Sequence, residues 1–558
     1  MAHTRLFSQL RRAFRIADLC EREGLSTRDG VARAGELQER RALSRRSVLK
    51  GAAVAAVAAT ASRRAFAAGG NAPRIAIVGA GMAGLVAADR LRAKGYSAVL
   101  YEANTRVGGR VKSARGTFPG QVGELGGEMI DNLHKTMLAY ANEFNLAKED
   151  LEKAPGETGY YFGGQRYSED QVIDEYRQLV PRMRNDMHSS SGAPTYFSHT
   201  VGDVLLDQTD LATWLGTRAG DLPLIRKVLE QAYVAEYGLE CAEQSCLNML
   251  LFIHADRKSK LREFGVFSDE RFHLVGGNDA IASNIRARLP GTVNTGAELV
   301  RLGKNASGKY ELWFRGGSVP ELAEAVIVAL PFTVLRKVTL DASLGLSAAK
   351  LNAINTLGYG ANCKTLIGFD GRPWLEQGCD GTVYTDLPNL QNTWEVSYTS
   401  GSTSTILCDF AGGNRGRALQ LPPPPPGSPV LCNNCHNGPG GFFDIQDALL
   451  QSQVDSFLTD LDRVFPGARA RATRAGGKYV FRRGHWLSQS YSRGSYTSYL
   501  PGQLTGIAGL EAQSAGALKF AGEHTNSFYD WQGFMEGACL SGIDAANEVL
   551  DDIQHGRI

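Results

Sequence analysis

The stretch Arg74–Gly84 reads RIAIVGAGMAG. Its apolar residues before the first glycine predict a buried strand, and its three glycines have the spacing G-x-G-x-x-G. A helical pattern over Leu85–Lys94 and a second strand, Ala98–Tyr101, follow, and the acid Glu102 comes directly after that strand. Strand, glycine turn, helix, strand and acid in this order predict a dinucleotide site, with the phosphates at the helix N-terminus and the ribose diol on Glu102.

The composition sets broad limits on the class of protein. A chain of 558 residues is long enough for two or more domains with a substantial core. The net charge of +2, with 21% charged residues, calls for neither nucleic acid nor an anionic surface as partner. No apolar run is long enough to span a bilayer, so we expect no transmembrane segment in the mature chain.

Residues 1–70 have the pattern of a targeting and processing region. Ser44–Lys50 reads SRRSVLK, a twin-arginine motif, and an Ala/Val run at 51–61 leads to the small-x-small site Ala65–Ala67. An Ala-rich helix of the folded protein would not explain the paired arginines. The pattern predicts export to the periplasm or beyond by the twin-arginine route. The 43 residues before the motif are either a genuine extension or the result of a start codon assigned too early.

Further glycine clusters follow the first. RVGGR at Arg106–Arg110 places two arginines around a glycine pair, which indicates backbone near a phosphate and guanidinium groups that neutralise it. A mainly helical stretch at 134–267 and a β-rich stretch at 364–410 separate the early, middle and late clusters. The remaining clusters are ELGGEMI at 124–130, VGG at 275–277, FAGEHT at 520–525 and DWQGFMEGA at 530–538.

These motifs, taken together, resemble those of the flavin-containing amine oxidases, which include the monoamine and polyamine oxidases. The resemblance covers essentially all of residues 74–550. It implies an α/β (α+β) fold, in which a Rossmann-type FAD-binding domain is assembled from discontinuous segments and carries an inserted α+β substrate domain. It also implies FAD rather than NAD, and oxidation of a C–N bond.

The resemblance and the order of the motifs predict the domain boundaries. The FAD-binding domain would consist of residues 71–133, 268–350 and 470–558, and the substrate-binding domain of 134–267 and 351–469. A Pro/Gly-rich insertion is expected near 412–441, where Pro422–Pro426 is a polyproline run.

The resemblance also assigns cofactor contacts residue by residue. Glu102 would hold the adenosine ribose, Leu299 the adenine through its backbone, and Glu523 the ribityl chain. Met535 would open the last helix and direct its N–H at the pyrimidine edge of the flavin, where a helix N-terminus stabilises negative charge. The full implied set is Gly79, Gly81, Met82, Ala83, Gly84, Glu102, Arg106, Gly109, Arg110, Gly127, Glu128, Met129, Leu299, Trp486, Glu523, Gly533, Phe534 and Met535.

Ser495 stands where some members of the family carry a cysteine joined to the flavin. We therefore expect FAD to be bound non-covalently. No metal site is predicted, and a homodimer is left open.

The resemblance implies a catalytic role for Lys364, Tyr496 and Phe534. A lysine beside the apolar residues 365–367 is costly unless it is paired or functional, the alternative being an exposed strand position. The two aromatic rings would flank a neutral amine in front of the flavin and exclude water, the alternative being ordinary core aromatics. The implied reaction is hydride transfer from the α-carbon to flavin N5, hydrolysis of the imine and reoxidation by O2, which gives H2O2.

The third glycine cluster bears on the substrate. Amino-acid oxidases of the superfamily usually carry an arginine just after it, whereas here the sequence is Gly126–Met129, GGEM. A simple amine is therefore favoured over an α-amino acid. Glu128 would either face a second positive charge on a diamine or polyamine or bond local backbone. The alternatives are an amine dehydrogenase that passes electrons to a cytochrome or quinone, an L-amino-acid oxidase, and a flavin-bound redox protein without turnover.

Cys432, Cys435 and His436 form C-x-x-C-H, the attachment signature of haem c. The surrounding Pro/Gly/Asn-rich loop has too little predicted helix for a cytochrome domain. A short-range disulfide, a metal-binding loop and free thiols are all favoured over haem.

Overall fold

The computed structural model describes residues 5–34, 72–151, 155–253, 270–289, 293–396, 402–420, 442–443, 448–526 and 531–558. The predicted twin-arginine signal and the Cys432–His436 motif lie outside these residues. Within the described part of the chain, no helix has the length and apolar character needed to cross a membrane.

A five-stranded sheet forms the half of the molecule that carries the glycine turn. Each neighbouring pair of strands is parallel, and the strands are almost entirely buried, as expected for a sheet covered on both faces. The strands come from three distant parts of the sequence. In spatial order they are Leu518–Phe520, Ala325–Val328, Ile75–Val78, Ala98–Glu102 and Val293–Thr295.

The glycine turn joins the central strand to the helix Met82–Ala93. Gly79 has φ +103°, a conformation that favours glycine. A Cβ at Gly84 would overlap the carbonyl oxygen of Gly79, so only glycine lets this helix lie so close to the end of the strand. The last helix, Met535–Gln554, packs along Met82–Ala93 and closes the same side of the sheet.

The described residues also form a four-stranded sheet, an eight-stranded sheet and three two-stranded pairs. The four-stranded sheet has the order Glu321–Ala323, Tyr310–Phe314, Leu299–Lys304 and Thr339–Leu340. The eight-stranded sheet has the order Phe442–Phe443, Phe481–His485, Cys363–Asp370, Ser404–Ala411, Leu390–Glu395, Cys379–Leu387, Glu157–Phe162 and Gln165–Tyr167. Two-stranded pairs are Ser113–Ala114 with Gly123–Glu124, Lys148–Asp150 with Phe272–Leu274, and Arg474–Ala475 with Lys478–Tyr479.

Helices cover the sheets and fill the segment before residue 253. The helix Glu169–Asp186 begins at a capping box between Ser168 and Gln171, and Pro223–Tyr237 begins with a proline in its first turn. Both lie in the stretch 134–267 that the sequence predicts to be mainly helical. Further α-helices of the described residues are Arg5–Glu23, Lys135–Glu143, Val201–Gln208, Leu211–Arg218, Cys246–Phe252, Asp279–Arg288, Phe332–Leu335, Ala348–Thr356, Gly413–Ala418, Ala448–Val464, Ala468–Arg471 and Gln503–Ile507, and residues 27–34 are also helical.

Part of the predicted targeting region is folded against the body of the protein. Residues 5–23 and 27–34 are helical, and the helix Arg5–Glu23 packs against Glu169–Asp186. The targeting pattern does not predict this contact.

Replacing Gly84 by Ala should loosen the packing of the glycine helix on the sheet. We expect a loss of about 1–3 kcal/mol in the free energy of unfolding, with weaker FAD retention, because the new methyl group overlaps the Gly79 carbonyl. Gly216→Ala is the matched control, since Gly216 also lies in a helix and has nothing near its Cβ position. Thermal unfolding and bound flavin measure both effects, and equal behaviour of the two variants would contradict this reading.

Candidate active site

A cavity of about 510 Å³ lies at the carboxyl ends of the parallel strands. This is the edge at which α/β sheets of this type bind dinucleotides. Twelve of the residues predicted to bind the cofactor line it: Gly79, Gly81, Met82, Ala83, Glu102, Arg106, Gly109, Arg110, Leu299, Glu523, Phe534 and Met535. The others, Gly84, Gly127, Glu128, Met129, Trp486 and Gly533, are not among its lining residues.

Glu102 is held at the end of its strand by two backbone N–H groups. Its Oε2 accepts from Ala80 N at 2.8 Å and its Oε1 accepts from Asn104 N at 2.8 Å. Burial raises the pKa of this carboxyl, and the two N–H donors and Arg106 oppose that rise. The fixed carboxylate still has free lone pairs with which to accept the two hydroxyl groups of a ribose.

The first of the paired arginines, Arg106, braces its own loop. Its guanidinium donates to the carbonyl oxygens of Val107 and Val111 at 3.0 and 3.3 Å, and also to that of Gly109. Burial lowers its pKa, but arginine remains charged at neutral pH. The side chain thus shapes the glycine pair whose backbone lines the cavity.

The second arginine, Arg110, connects the early glycine clusters to the late part of the chain. Its Nη1 donates to Glu523 Oε1 and to the carbonyl oxygen of Ser495, both at 2.8 Å. Glu523 Oε2 accepts from Thr497 Oγ1 at 2.6 Å and from Gly533 N at 3.1 Å. Burial alone would raise the pKa of Glu523, but Arg110 and the hydrogen bonds hold it below its ordinary value.

The third glycine cluster passes between parts of the chain that leave no room for side chains. A Cβ at Gly126 would overlap the carbonyl oxygen of Arg110 and lie 2.9 Å from the Trp486 ring. A Cβ at Gly127 would lie 2.8 Å from Met535 Sδ. Trp486 Nε1 also donates to the carbonyl oxygen of Leu125 at 2.8 Å. The cluster is therefore seated against the N-terminus of the last helix, at the end of the cavity that Phe534 and Met535 line.

Lys364 reaches this cluster from the eight-stranded sheet. Its Nζ lies 2.6 Å from Glu128 Oε2 and 3.0 Å from the carbonyl oxygen of Gly126. Trp394 Nε1 donates to the other carboxylate oxygen of Glu128 at 3.2 Å. Lys364 and Glu128 are 5% and 1% exposed, so the lysine is not at an exposed strand position. In this structure the partner of Glu128 is a lysine of the same chain.

The two predicted aromatic residues are both buried. Phe534 directly precedes the last helix and lines the cavity, with its ring centroid 5.0 Å from that of His134. Tyr496 packs against Trp486 and donates its hydroxyl to the carbonyl oxygen of Glu236. Burial raises the pKa of the Tyr496 hydroxyl well above its ordinary value, so it remains a neutral donor.

Sequence reasoning missed several cavity residues, of which His524 is the most informative. It is 1% exposed, and neither ring nitrogen has a hydrogen-bond partner among the described residues. Burial lowers its pKa to about 3, with Arg110 and Lys350 acting in the same direction, so the ring is neutral. Its position between Glu523 and Thr525 was the available signal. Arg315, Lys337 and Arg493 also line the cavity and lie outside the glycine clusters.

These features fit FAD. Glu102 suits a ribose and the N-terminus of the last helix suits the flavin. The cavity-lining His524 has a donor and an acceptor that no described residue satisfies. Bound there, FAD would supply the electron-accepting ring, and the residues named above would hold it.

Comparison with known proteins identifies the family. The family model of flavin containing amine oxidoreductases matches residues 82–550. The chain belongs to this family. The resemblance drawn from the glycine clusters is thereby confirmed, and the protein is a flavin-dependent oxidoreductase that acts on amines and uses FAD.

The curated relatives include L-amino-acid oxidases. That of Pseudechis australis is 22% identical over 510 residues, which cover 86% of this chain and 87% of the relative. That of Siganus canaliculatus is 24% identical over 491 residues and covers 85% of each chain.

Solved structures confirm the fold class. Cyclohexylamine oxidase from Brevibacterium oxydans IH-35A matches with a TM-score of 0.69 at 18% identity, over 87% of this chain and all (100%) of that one. Wild-type putrescine oxidase bound to putrescine matches with a TM-score of 0.68 at 19% identity, over 86% of this chain and 99% of that one. The mixed helix-and-strand architecture with a Rossmann-type FAD domain is thus correct.

Glu124, at the start of the third glycine cluster, makes the stability of the folded protein depend on pH. It is 2% exposed and accepts from Asn278 N at 2.7 Å and from Ser113 Oγ at 2.9 Å. Burial raises its pKa from 4.5 to about 7, and Asp279 and Glu128 add to the rise. Between these two pH values the folded protein binds a proton that the unfolded chain has lost, so this carboxyl makes stability fall as pH rises.

Glu124→Gln should remove that contribution. The thermal midpoint of the wild type should fall relative to that of the variant as pH rises from about 4.5 to about 7, and their difference should then stay constant. Glu376→Gln is the control, because its carboxylate is on the surface, with 70% of the side chain exposed. A difference between wild type and Glu124→Gln that does not change over this range would contradict the prediction.

Proposed function

We propose that the protein catalyses FAD-dependent oxidative deamination of an amine, with O2 as electron acceptor. The observation that carries this proposal is the buried Lys364–Glu128 pair, with 2.6 Å between Nζ and Oε2. It lies at the third glycine cluster, which packs against Met535 at the end of the cavity. A buried lysine on an apolar strand is expensive, and its contact with the third glycine cluster supports a functional role.

In this proposal each residue has a distinct task. Phe534 and Tyr496 keep water from the site and favour the uncharged amine. Lys364 uses two of its three donors on Gly126 and Glu128, which leaves one N–H for a water molecule in front of the flavin. The chemistry supplied with bound FAD is acceptance of a hydride from the α-carbon of the amine, followed by reoxidation with O2 to give H2O2.

We favour a simple amine as substrate. The sequence GGEM at Gly126–Met129 offers no arginine for an α-carboxylate, and Glu128 is engaged by Lys364. Oxidation of an L-amino acid is the second candidate, and it is favoured by the curated relatives, which carry that name.

Anaerobic addition of substrates to the purified holoenzyme distinguishes the two. We expect a monoamine or diamine, but not an L-amino acid, to bleach the flavin absorbance, because nothing in the third glycine cluster is suited to bind an α-carboxylate. Bleaching by L-amino acids alone would favour the second candidate. Failure of every compound would favour a flavin protein without turnover, and a dye-linked assay without peroxide would favour a dehydrogenase.

Lys364→Met should reduce turnover or flavin reoxidation by about a hundredfold while FAD stays bound. Glu128→Gln should have a smaller effect in the same direction, since the lysine keeps its bond to the Gly126 carbonyl. Lys519→Met is the matched control, because Lys519 is also buried and ion-paired, with Asp552 at 2.8 Å, but its partner belongs to the last helix and not to the third glycine cluster. Stopped-flow reduction and reoxidation give the separate rates, and wild-type rates in Lys364→Met would refute the assigned role.

Export by the twin-arginine route is part of the proposal. Its support is the order of paired arginines, apolar run and small-x-small site over 44–67. Fractionation of cells that produce the chain with and without Arg45→Lys and Arg46→Lys tests the route.

A further inference from the structure

The helix Arg5–Glu23 is seated in a groove of the helical half of the molecule. It contacts the helices Glu169–Asp186 and Pro223–Tyr237 and the strands Cys379–Leu387 and Leu390–Glu395. Its buried face repeats at helical spacing and belongs to the same apolar cluster as the groove. Every one of its members Leu10, Ala13, Phe14, Ile16, Ala17 and Cys20 is at most 2% exposed.

The ring of Phe14 is the central apolar contact. Its centroid lies 5.4 Å from that of Tyr176 in an edge-to-face arrangement. Tyr176 belongs to a buried group of tyrosines in which Tyr160 and Tyr384 stack at 5.7 Å. Without the first helix, Tyr176 would lose this contact.

Charged side chains of Glu169–Asp186 pair with opposite charges of the first helix. Arg12 pairs with Glu169 at 2.9 Å, and Glu21 pairs with Arg177 at 2.9 Å. Asp18, whose side chain is 4% exposed, pairs with Arg184 near the end of Glu169–Asp186 and with Arg22 of its own helix. The two pairs of Arg12 and Glu21 are exposed, so they align the two helices but add little to the free energy of binding. Breaking the pair of the buried Asp18 carboxylate with Arg184 would cost more free energy.

The turn after the first helix is also tied to the groove. Thr27 donates its hydroxyl to Asp174 and accepts from Arg177 Nη1 at 3.1 Å. Ala34, at the end of the described segment, is again buried. The contact therefore extends from Leu10 to Ala34.

We propose that residues 5–34 are a bound segment of the working enzyme and that the groove on Glu169–Asp186 is its docking surface. The predicted twin-arginine motif and small-x-small site lie after this segment, between residue 34 and the strand Ile75–Val78. Hydrolysis of the peptide bond after Ala67 by a signal peptidase would then cut the covalent connection without removing the segment. The mature enzyme would consist of two non-covalently associated chains. This inference does not depend on the proposed substrate or reaction.

The test begins with the full chain, produced as holoenzyme with Arg45→Lys and Arg46→Lys to prevent export. The site of a sequence-specific protease replaces residues 65–67. After cleavage, we expect the N-terminal fragment to co-elute with the flavin-containing body on size exclusion, and intact-mass measurement to find both chains. Release of the fragment from a soluble, flavin-bound body would overturn the proposal.

Charge reversal tests the docking geometry. Arg184→Glu should weaken retention of the cut fragment by about a hundredfold, since it leaves Asp18 beside a like charge. Adding Asp18→Arg should restore most of it. Arg182→Glu is the control on the same helix, because Arg182 pairs with Asp221 and not with the first helix. Equal retention in Arg184→Glu and Arg182→Glu would contradict the geometry, and flavin content of the uncut variants confirms that each has folded.

The exported enzyme from its own cells gives an independent readout. Peptides of residues 5–34 should be found in the purified protein, either in an uncut chain or as a second chain. A mature protein that lacks them and matches the full-length holoenzyme in thermal midpoint would refute the proposal.

Discussion

The passage of Gly126 and Gly127 between Arg110, Trp486 and Met535 is the constraint on which the site depends. Any side chain at these two positions would displace a backbone carbonyl, an indole ring or the start of the last helix. Since Trp486 comes just after a strand of the eight-stranded sheet and Met535 begins a helix on the parallel sheet, this passage fixes the two halves of the molecule against each other. Close-packed interiors transmit such a displacement instead of absorbing it.

The same passage brings buried charges together in pairs. Glu128 follows the two glycines and meets Lys364 from the opposite sheet, while Arg110, whose carbonyl the cluster packs against, holds Glu523. A single buried charge would be severely penalised, but each of these has an opposite charge within 3 Å and further hydrogen bonds. The site can therefore exclude water without losing its ionic groups. That combination suits a reaction that consumes a neutral amine.

Local patterns made much of the fold predictable. The turn at Gly79–Gly84 and several helices could be located because apolar spacing and glycine positions are properties of adjacent residues. Pairings between distant residues could not be predicted. Lys364 and Glu128 are 236 positions apart, and neither periodicity nor charge shows that they are partners. Arg106 shows a different limit: an arginine beside a glycine pair indicates a phosphate, yet its donors reach three carbonyl oxygens of its own loop. His524 was visible in its motif, but only the fold shows that it lines the cavity and that its buried ring nitrogens have no partner among the described residues.

In the first helix, the amphipathic pattern is less distinctive than the twin-arginine motif that follows it. Leu10, Phe14 and Ala17 have the spacing of an amphipathic helix, but the twin-arginine motif downstream favours treating everything before it as a leader. An export signal needs only to bind a transport receptor. This segment, in contrast, forms ion pairs with Glu169–Asp186 and packs on Tyr176. Such complementarity on a helix more than 130 positions away is not required for targeting. It is what is needed by a segment that folds with the body, and a cut in the connecting chain would leave every one of these contacts in place.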